Sequence, residues 1–398
     1  MRRVFYAVLF SLINLTLFVC SGEQSQRTNP LVGNYNPGTA DEDTSRGRTD
    51  NSNDAKYVWD VPGGGGEIVS GCLSRDCIPS LQNPELVSAD AVNYLNDDDW
   101  VFGLVLGDEV RAYPHRILDW HEIINQNIGY RSIAVTYCPL TGTGVAVDLQ
   151  ATTDLATTNE VETSLLSLGV SGLLYNNNLI PYDRGTSSNW SQMLLRCVNG
   201  ILRGTPMVTI PLIETTWETW KKMFPNSTVV SNNTGFDRPY DIFPYGRYKT
   251  DPFLLFPITT DDKRLPRKER VHGIVTDRFE LQAKTYPFSL FEDGARAIND
   301  EVNGEYIVVT GMKSANFYVS YSRVAEDGRI LTFDVKTESP DIYPFDLVDD
   351  EGNVWNILGE AISGPRTGEK LTATVAYNGY WFAWGTFFPN VPIHSDNT

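Results

Sequence analysis

Short runs in which apolar and polar residues alternate occur along most of the chain. Gly103–Leu106 and Val110–Tyr113 flank a Gly-Asp pair, which predicts a β-hairpin. Similar patterns predict further strands at residues 132–137, 144–149, 170–175 and 207–211, and helices at residues 116–127, 190–198 and 215–224. This mixture predicts an α+β fold with mainly antiparallel or mixed sheet and a few short helices.

The first predicted helix carries a histidine on its apolar side. Ile117 begins a row of isoleucines at helical spacing, and His121 falls in that row. Asp119 and Glu122 lie beside the row and are expected to point sideways or outward. A histidine in this position is either a core residue that hydrogen-bonds to the backbone or a functional group.

The second part of the chain repeats the first in the same order. The matching segments are VFGLV at 101–105 with VHGIV at 271–275, IAVT at 133–136 with IVVT at 307–310, and WETWKKMFPN at 217–226 with WFAWGTFFPN at 381–390. Shared order with small drifts in spacing is what an ancient duplication leaves, and the period is far longer than that of a solenoid. The sequence therefore predicts two pseudo-symmetric, strand-rich halves, residues 67–235 and a degenerate copy at 271–398, joined by a connector at 236–270.

The chain is strongly acidic. It has 32 basic and 50 acidic residues, a formal charge of −18. That charge repels phosphate backbones and anionic lipid, which argues against binding to nucleic acids and membrane surfaces. At 398 residues and 41% hydrophobic content, the chain can bury a substantial core.

An export signal is predicted at the N-terminus. Two arginines precede an apolar run from Val4 to Val19 that is short for a membrane span. Residues 1–22 are predicted to be a signal peptide, or a lipoprotein signal that ends at a lipidated Cys20. Residues 23–66 are poor in aliphatic side chains and predict a disordered linker. Either route places the mature protein outside the cytoplasm, secreted or held at the cell envelope by an N-terminal lipid.

Four cysteines remain after either route: Cys72, Cys77, Cys138 and Cys197. An oxidising compartment permits disulfides, and four cysteines allow three full pairings. Cys72 and Cys77 are close together in a segment rich in Gly and Pro, which favours a local bridge between them. Cys197 is interpreted as a structural core residue.

Cys138 follows the predicted strand at 132–137 and precedes a Pro/Gly-rich corner. A thiol at the end of a strand that faces a loop is both fixed and reachable, as cysteine chemistry requires. If the preceding helix packs on this strand, the His121 imidazole approaches Cys138 and lowers the thiol pKa. The alternative is that Cys138 is a small buried apolar residue.

The corner also carries a family resemblance. YCPLTG at residues 137–142 resembles the signature of the domain of unknown function 3179 family, in which many members have a second cysteine at the Thr141 position and some have selenocysteine there. Residues 105–125, 170–192 and 380–389 resemble the same family, so that the resemblance covers most of the chain after about Gly66. The family has no settled function, but selenium at a site implies redox chemistry. Thr141 argues against exchange by a local pair of thiols.

Comparison of the two predicted halves favours a site in the first. Cys138 aligns with Met312 and His121 with Ala295, although the surrounding scaffold residues match. Reactive residue types that are confined to one copy indicate a site built there. His272 and His394 have no evident partner in the sequence.

Other candidate site residues surround the corner. Thr141, Gly142 and Thr143 form a hydroxyl- and amide-rich turn that can bind an anion or stabilise developing negative charge. The alternative is a turn that simply needs glycine. Arg184 is a candidate substrate or anion contact, for which a surface ion pair is the commoner alternative.

Three functions fit these patterns. The first is a thiol-dependent redox enzyme in which His121 activates Cys138, with an unidentified small molecule or protein as redox partner. The second is a non-catalytic secreted or membrane-anchored binding or structural protein. The third is a soft-metal protein that holds copper or zinc through Cys138 and His121. The sequence identifies no cofactor.

Overall fold

The computed structural model describes residues 58–157, 164–292, 294–336 and 344–396. These residues form four short α-helices and 25 strands, so the predicted strand-rich α+β class is confirmed. The predicted signal at residues 1–22 lies outside the described residues, as does the predicted linker as far as residue 57.

The part of the chain before the connector contains strands β1 to β15 and helices α1 to α3. The strands are β1 (Ile68–Ser70), β2 (Leu81–Gln82), β3 (Leu86–Ser88), β4 (Trp100–Leu106), β5 (Glu109–Pro114), β6 (Ile123–Ile128), β7 (Arg131–Cys138), β8 (Thr143–Asp148), β9 (Leu168–Tyr175), β10 (Asn178–Asp183), β11 (Asn189–Ser191), β12 (Arg196–Asn199), β13 (Thr209–Ile210), β14 (Ile213–Thr216) and β15 (Thr228–Val230). The helices are α1 (His115–His121), α2 (Leu149–Ala156) and α3 (Trp217–Met223).

The part from the end of the connector onward contains β16 to β25 and helix α4. The strands are β16 (Arg270–Asp277), β17 (Gln282–Pro287), β18 (Arg296–Val302), β19 (Glu305–Met312), β20 (Phe317–Ser322), β21 (Phe333–Lys336), β22 (Asp346–Asp349), β23 (Val354–Trp355), β24 (Ala361–Ser363) and β25 (Ala376–Tyr380), and the helix is α4 (Trp381–Phe387).

The described residues form six sheets, and each takes its strands from one side of the connector. Three five-stranded sheets use β1 to β15, and sheets of three, three and four strands use β16 to β25. Most neighbouring strands are antiparallel, whereas β5 with β15 and β2 with β6 are parallel. The predicted mixed and antiparallel sheet is confirmed.

The helix predicted at residues 116–127 is wrong in its second half. Helix α1 ends at His121, and Glu122 adopts φ 56° and ψ −32°, outside the α-helical region. The chain then continues as β6, which pairs with β7. The row of isoleucines is therefore divided between a helix and a strand. Asp119 and Glu122, which were expected to point sideways or outward, are buried at 4% and 5% exposure.

Other element predictions are partly confirmed. The hairpin around Gly107 is present as β4 and β5, and the helix at residues 215–224 is present as α3. The strand at residues 207–211 is reduced to β13. Residues 190–198 form β11 and β12 instead of a helix, with Leu195 at a positive φ of 53° in the turn between them.

Each of the two parts of the chain contains a glycine that packs closely against a tryptophan. Strands β14 and β25 pair antiparallel with β4 and β16, and each leads directly into a helix, α3 or α4. Trp220 of α3 lies so close to Gly103 of β4 that a Cβ there would be 1.8 Å from the indole ring. Trp384 of α4 covers Gly273 of β16 in the same way, at 2.1 Å. Both tryptophans are fully buried.

The folded body begins before Ile68. Val61 is buried, the Asp60 N–H donates to a carbonyl of β12, and the Tyr175 hydroxyl donates to the Pro62 carbonyl. Residues 59–62, which fall within the predicted linker, therefore pack on the body.

The connector covers the corner that carries Cys138. Trp120 donates from Nε1 to the Ile242 carbonyl at 3.0 Å, and the Asn177 side chain exchanges hydrogen bonds with the backbone of Phe256. From the far end of the chain, the Tyr380 N–H donates to the Thr141 carbonyl at 2.8 Å. The corner is therefore internal, enclosed by all three parts of the chain.

Candidate functional site

A tight turn joins Cys138, the last residue of β7, to β8. Cys138 pairs with Thr143 across the two strands, and the Gly142 N–H donates to the Cys138 carbonyl at 2.8 Å. Gly142 has a φ of +63°, which glycine adopts without the steric cost of a Cβ. A Cβ there would lie 2.9 Å from the guanidinium of Arg270, which donates to the Gly142 carbonyl. Backbone geometry thus accounts for this glycine without a bound anion.

The Cys138 thiol is buried in the corner. It is 1% exposed, and its sulfur donates to the Asn177 carbonyl at 3.3 Å. Burial raises the pKa of the thiol to about 11, with a further increase from Glu122, while hydrogen bonds from Thr141 and Leu179 act in the opposite direction. The predicted lowering of the thiol pKa is therefore wrong in direction, and Cys138 is protonated at neutral pH.

His121 binds partners other than Cys138. Its Nδ1 lies 2.7 Å from the Pro79 carbonyl, and its Nε2 lies 2.6 Å from the Tyr240 hydroxyl. Burial lowers the pKa of His121 to about 4, although the hydrogen bond to Pro79 acts to raise it. Because α1 ends at this residue, the imidazole is held between the Pro79 segment and the connector. The predicted activation of Cys138 by a charged His121 is therefore wrong.

Thr141 and Thr143 belong to an internal amide network. Both are fully buried, and their hydroxyls are 2.8 Å apart. Asn178 donates to the Thr141 hydroxyl at 2.9 Å, and the Thr143 hydroxyl donates to Gln192 at 2.6 Å. Gln192 in turn donates to Thr136 at 2.9 Å. The hydroxyls that were predicted to bind an anion are therefore hydrogen-bonded to other side chains of the protein. These bonds fix the shape of the corner.

Arg184 anchors the disulfide loop. Its two Nη atoms donate to the two carboxylate oxygens of Asp76 at 2.7 and 2.8 Å. Asp76 lies in the loop closed by Cys72 and Cys77, whose predicted disulfide is present with a Cα–Cα distance of 6.4 Å. The contacts of Arg184 are those of the surface ion pair named as its alternative. Such pairs contribute about 0–1 kcal/mol to stability.

A narrow cleft with a volume of about 30 Å³ lies beside the corner. Its walls are mainly apolar and include Leu140, Val170, Leu174, Leu179, Ile180 and Phe256. Glu122 and Tyr245 are the ionisable side chains that line it. The cleft adjoins Cys138, because Leu140 follows that residue by two positions and Leu179 hydrogen-bonds to its sulfur.

Glu122 is a candidate site residue that sequence inspection missed. Burial raises the pKa of this carboxyl to about 8, so it is largely protonated at neutral pH and can donate a hydrogen bond. Its positive φ is uncommon for a residue other than glycine. The surrounding backbone holds it there, since its N–H donates to the Leu118 carbonyl and its carbonyl accepts from the Tyr137 N–H. The available sequence signal was an acid directly followed by two isoleucines, Ile123 and Ile124.

Lys268, at the end of the connector, was also missed. Its Nζ lies over the rings of Tyr248, Tyr380 and Phe382, at 3.0, 4.8 and 5.3 Å from their centres. It has no hydrogen-bond partner within the described part of the chain. Burial lowers the pKa of Lys268 to about 7, and the nearby Cys138 acts to raise it. Nothing in the local sequence distinguishes this lysine from a solvated one.

Cys138 and His121, the side chains predicted to bind a soft metal, are hydrogen-bonded to other groups of the protein. Cys138 bonds to Asn177, and both nitrogens of His121 are occupied. Across the described ranges, no three His, Cys, Asp or Glu side chains group closely enough to hold a metal ion.

The chain is thus a strand-rich α+β protein. Its candidate site is an apolar cleft that contains the buried acid Glu122 and adjoins the buried thiol of Cys138. It belongs to the family described as "Protein of unknown function (DUF3179)", whose model matches residues 75–391. The match covers most of the chain, includes the corner, and confirms the resemblance noted in the sequence. Comparison with curated proteins and with solved structures gives no match. Among the described residues, none of the helices has the length and apolar character needed to cross a membrane.

Proposed function

We propose that the protein binds a small, largely apolar molecule in the cleft beside Cys138, and that it does so outside the cytoplasm. The observation that carries this proposal is the apolar cleft with one buried carboxyl group, Glu122. Small-molecule sites combine apolar walls with a few polar groups that orient the ligand. Because this cleft is narrow, the ligand enters by displacing side chains at its mouth, such as the partly exposed Leu173. The proposal corresponds to the second function expected from the sequence, a non-catalytic binding protein.

The chemistry of the cleft indicates the class of ligand. Glu122 in its protonated form offers one O–H donor, so the matching ligand group is an acceptor such as a carbonyl or ether oxygen. A charged ligand would lose its hydration against apolar walls without a counter-charge, which is costly. The ligand is therefore a neutral molecule with an apolar body and an acceptor oxygen.

Nile red, a neutral apolar dye with a carbonyl group, tests this proposal. Leu173 lines the cleft and is partly exposed, whereas Leu165 is 46% exposed and lies outside the cleft lining. Wild type should bind the dye with a saturable rise in fluorescence. Leu173→Lys should weaken binding at least tenfold, because a charged group then enters the apolar wall. Equal binding by Leu173→Lys and the control Leu165→Lys would show that the dye binds elsewhere.

The pH dependence of binding tests the role of Glu122. In wild type, the affinity should fall as the pH rises through about 8, because the carboxyl group loses the proton that it donates. Glu122→Gln keeps an N–H donor in the same place, so its affinity should stay constant over that range. If wild type and variant change with pH in parallel, Glu122 does not contact the dye.

The extracytoplasmic location is supported by the Cys72–Cys77 disulfide, because such bonds persist mainly in oxidising compartments. The full chain and a Cys20→Ser variant can be expressed in a bacterial host and fractionated. Processed protein in the membrane fraction that Cys20→Ser releases would support a lipid anchor. Processed soluble protein outside the cytoplasm in both cases would support cleavage of a signal peptide. An unprocessed cytoplasmic chain would contradict export.

Redox chemistry at Cys138 is a second candidate function. The observation that favours it is the set of hydrogen bonds from Thr141 and Leu179 to the sulfur, which stabilise a thiolate if one forms. Hydrogen peroxide would transfer one oxygen to the thiolate as its O–O bond breaks, giving a sulfenic acid and hydroxide. The hydroxide becomes water by taking up the proton that the thiol had lost. Treatment with hydrogen peroxide followed by dimedone should label Cys138 and not Cys197, which is equally buried. Equal labelling of both thiols, or of neither, would remove this function.

We also propose that residues 67–235 and 271–398 arose by duplication. Support comes from the strand registers, because Ile123 pairs with Thr136 as Ala297 pairs with Thr310, the same positions displaced by a constant offset. The order hairpin, completing strand and tryptophan helix occurs in both parts. An experimental structure in which the two parts do not superpose in this order would contradict the proposal.

A further inference from the structure

A chain of hydrogen bonds separate from the cleft runs through the second part of the protein. His272 Nδ1 lies 2.8 Å from Asn378 Oδ1, and His272 Nε2 lies 2.8 Å from Ser320 Oγ. Asn378 Nδ2 donates to a Glu214 carboxylate oxygen at 2.9 Å. Ser320 Oγ is 2.5 Å from the Thr374 hydroxyl. A hydroxyl, an imidazole and an amide are thus joined in one line.

Three strands place these groups. His272 of β16 lies directly opposite Asn378 of β25, and β20 brings Ser320 to the other side of the imidazole. All three side chains are buried, at 4% to 7% exposure. The corresponding pair in the first part of the chain is Phe102 opposite Glu214, which contains no imidazole. At these corresponding positions, the arrangement is therefore present only in the second part.

The direction of each hydrogen bond follows from Glu214, the carboxylate at one end of this series of hydrogen bonds. Glu214 is paired with Arg270 and can only accept, so Asn378 must turn its NH₂ toward Glu214 and its carbonyl oxygen toward His272. His272 then carries its proton on Nδ1, which leaves Nε2 as an acceptor. The Ser320 hydroxyl therefore donates to Nε2. The Thr374 hydroxyl, which also lies 3.3 Å from the Ser320 carbonyl oxygen, then donates to Ser320 Oγ. Burial lowers the pKa of His272 to about 4, so that the imidazole is neutral at physiological pH.

We propose that Ser320, His272 and Asn378 form a second reactive site that cleaves small carboxylic esters, with Ser320 as the nucleophile, His272 as its base and Asn378 as a positioning residue. A nucleophile bonded to a base that a third group orients is the arrangement that activates serine and cysteine in acyl transfer. An amide can serve as the third group when its oxygen accepts from Nδ1–H, since it then holds the required tautomer. The fixed orientation of Asn378 meets that condition.

The reaction is a two-step acyl transfer. Ser320 Oγ forms a bond to the ester carbonyl carbon while its proton passes to His272 Nε2, and that proton then leaves with the alcohol. Water next gives a proton to Nε2 and adds its oxygen to the acyl carbon, and Ser320 recovers the proton as the carboxylic acid departs. Ester and water are thus converted to acid and alcohol with no other reactant.

Tyr318 supplies a donor for the negative charge that develops on the carbonyl oxygen. It lies two residues before Ser320 on the same face of β20, and its buried hydroxyl has no partner among the described residues. Its ring stacks on Phe288 at 3.5 Å, which restricts the space on this face. Because Ser320 and His272 are buried, a small acyl group such as acetyl is the substrate that this proposal commits to.

The test uses 4-nitrophenyl acetate with the full chain. Wild type should release nitrophenolate above the buffer rate, and mass spectrometry should find the acetyl group on Ser320. Ser320→Ala should abolish both signals, whereas Ser322→Ala, on the same strand, should retain them. His272→Gln, which keeps a polar side chain for packing, should lower the acylation rate by about 10²–10⁴-fold, the usual contribution of a general base.

Asn378→Leu separates positioning from packing. Because Asn378 does not touch the ester, this variant should lower kcat and leave KM unchanged, and Asn378→Asp, which keeps the acceptor oxygen, should recover part of kcat. The folded state of every variant is checked by circular dichroism. Absence of acetyl on Ser320 in folded wild type overturns the proposal, as does equal acylation of wild type and folded His272→Gln. Either result would leave the chain of hydrogen bonds as a purely structural clamp.

Discussion

Replacement of Glu122 by Gln should make the stability of the protein less sensitive to pH. The carboxyl group is 5% exposed, and burial raises its pKa from 4.5 to about 8. Between these two values the folded state keeps a proton that the unfolded state has released. The free energy of unfolding of wild type therefore falls as the pH rises from about 4.5 to about 8, and the fall ends above the folded-state pKa.

The magnitude follows from the size of the shift. Each unit of difference between folded and unfolded pKa corresponds to about 1.4 kcal/mol. A change from 4.5 to about 8 therefore costs wild type on the order of 5 kcal/mol across the interval, about 1.4 kcal/mol per pH unit. Gln has nearly the same shape and cannot ionise, so Glu122→Gln should lack this slope. The variant should gain on wild type as the pH rises.

Urea denaturation at pH 5, 6, 7 and 8 measures the difference directly. Subtraction of the wild-type curve from the Glu122→Gln curve removes the contributions of all other titrating groups. Glu67→Gln, at an exposed position, is the matched control and should follow wild type. Parallel curves for wild type and Glu122→Gln would refute the inference that this acid is buried and protonated.

Three further outcomes are expected. Gly103→Ala should lower the free energy of unfolding by about 2–3 kcal/mol in urea denaturation, because the new Cβ would lie 1.8 Å from an indole ring, whereas Gly66→Ala, with open space around it, should have little effect. At pH 7, Cys138 should react with iodoacetamide about a hundredfold more slowly in the native protein than in urea, since burial raises its pKa from 9.0 to about 11; equal rates would mean that the thiol is exposed. Replacement of both Cys72 and Cys77 by Ala should cost about 2 kcal/mol by the loop-closure relation, measured as a lower urea midpoint, and an unchanged midpoint would show that the Asp76 contacts alone hold the loop.

Features with a local signal could be predicted from the sequence. The hairpin around Gly107 has turn residues between two alternating runs, and the Cys72–Cys77 bridge closes a loop of a few residues. The helix that begins at Trp217 follows a threonine, whose hydroxyl caps it by accepting from the Thr219 N–H. In each case, the residues that determine the structure lie within a short stretch of chain.

The end of α1 had no such signal. Residue 122 is neither Gly nor Pro, and its positive φ is maintained by contacts with β7 that form only when the sheet is present. The assignment of His121 to a helical stripe facing Cys138 failed for this reason. The burial of Cys138 was equally hidden, because the connector and the segment around Tyr380 that enclose the corner are far away in the sequence.

The hydrogen bonds of His272 could not be predicted from the sequence for the same reason. Its partners Ser320 and Asn378 are separated from it by 48 and 106 residues, and no spacing in the chain connects them. Sequence inspection found no partner for His272, whereas the ladder between β16 and β25 places one directly opposite.

The pairing of β16 with β25 has a consequence for biosynthesis. In the sheet ordered β17, β16 and β25, the strand β16 lies in the centre, yet one of its neighbours is made roughly a hundred residues later. Until that late strand arrives, the nascent polypeptide exposes a row of unpaired N–H and C=O groups, which is a template for association with other polypeptides. Contacts between residues so distant also slow folding. Products of incomplete translation that stop before Ala376 should therefore aggregate or be degraded, and only the completed chain should accumulate in soluble form.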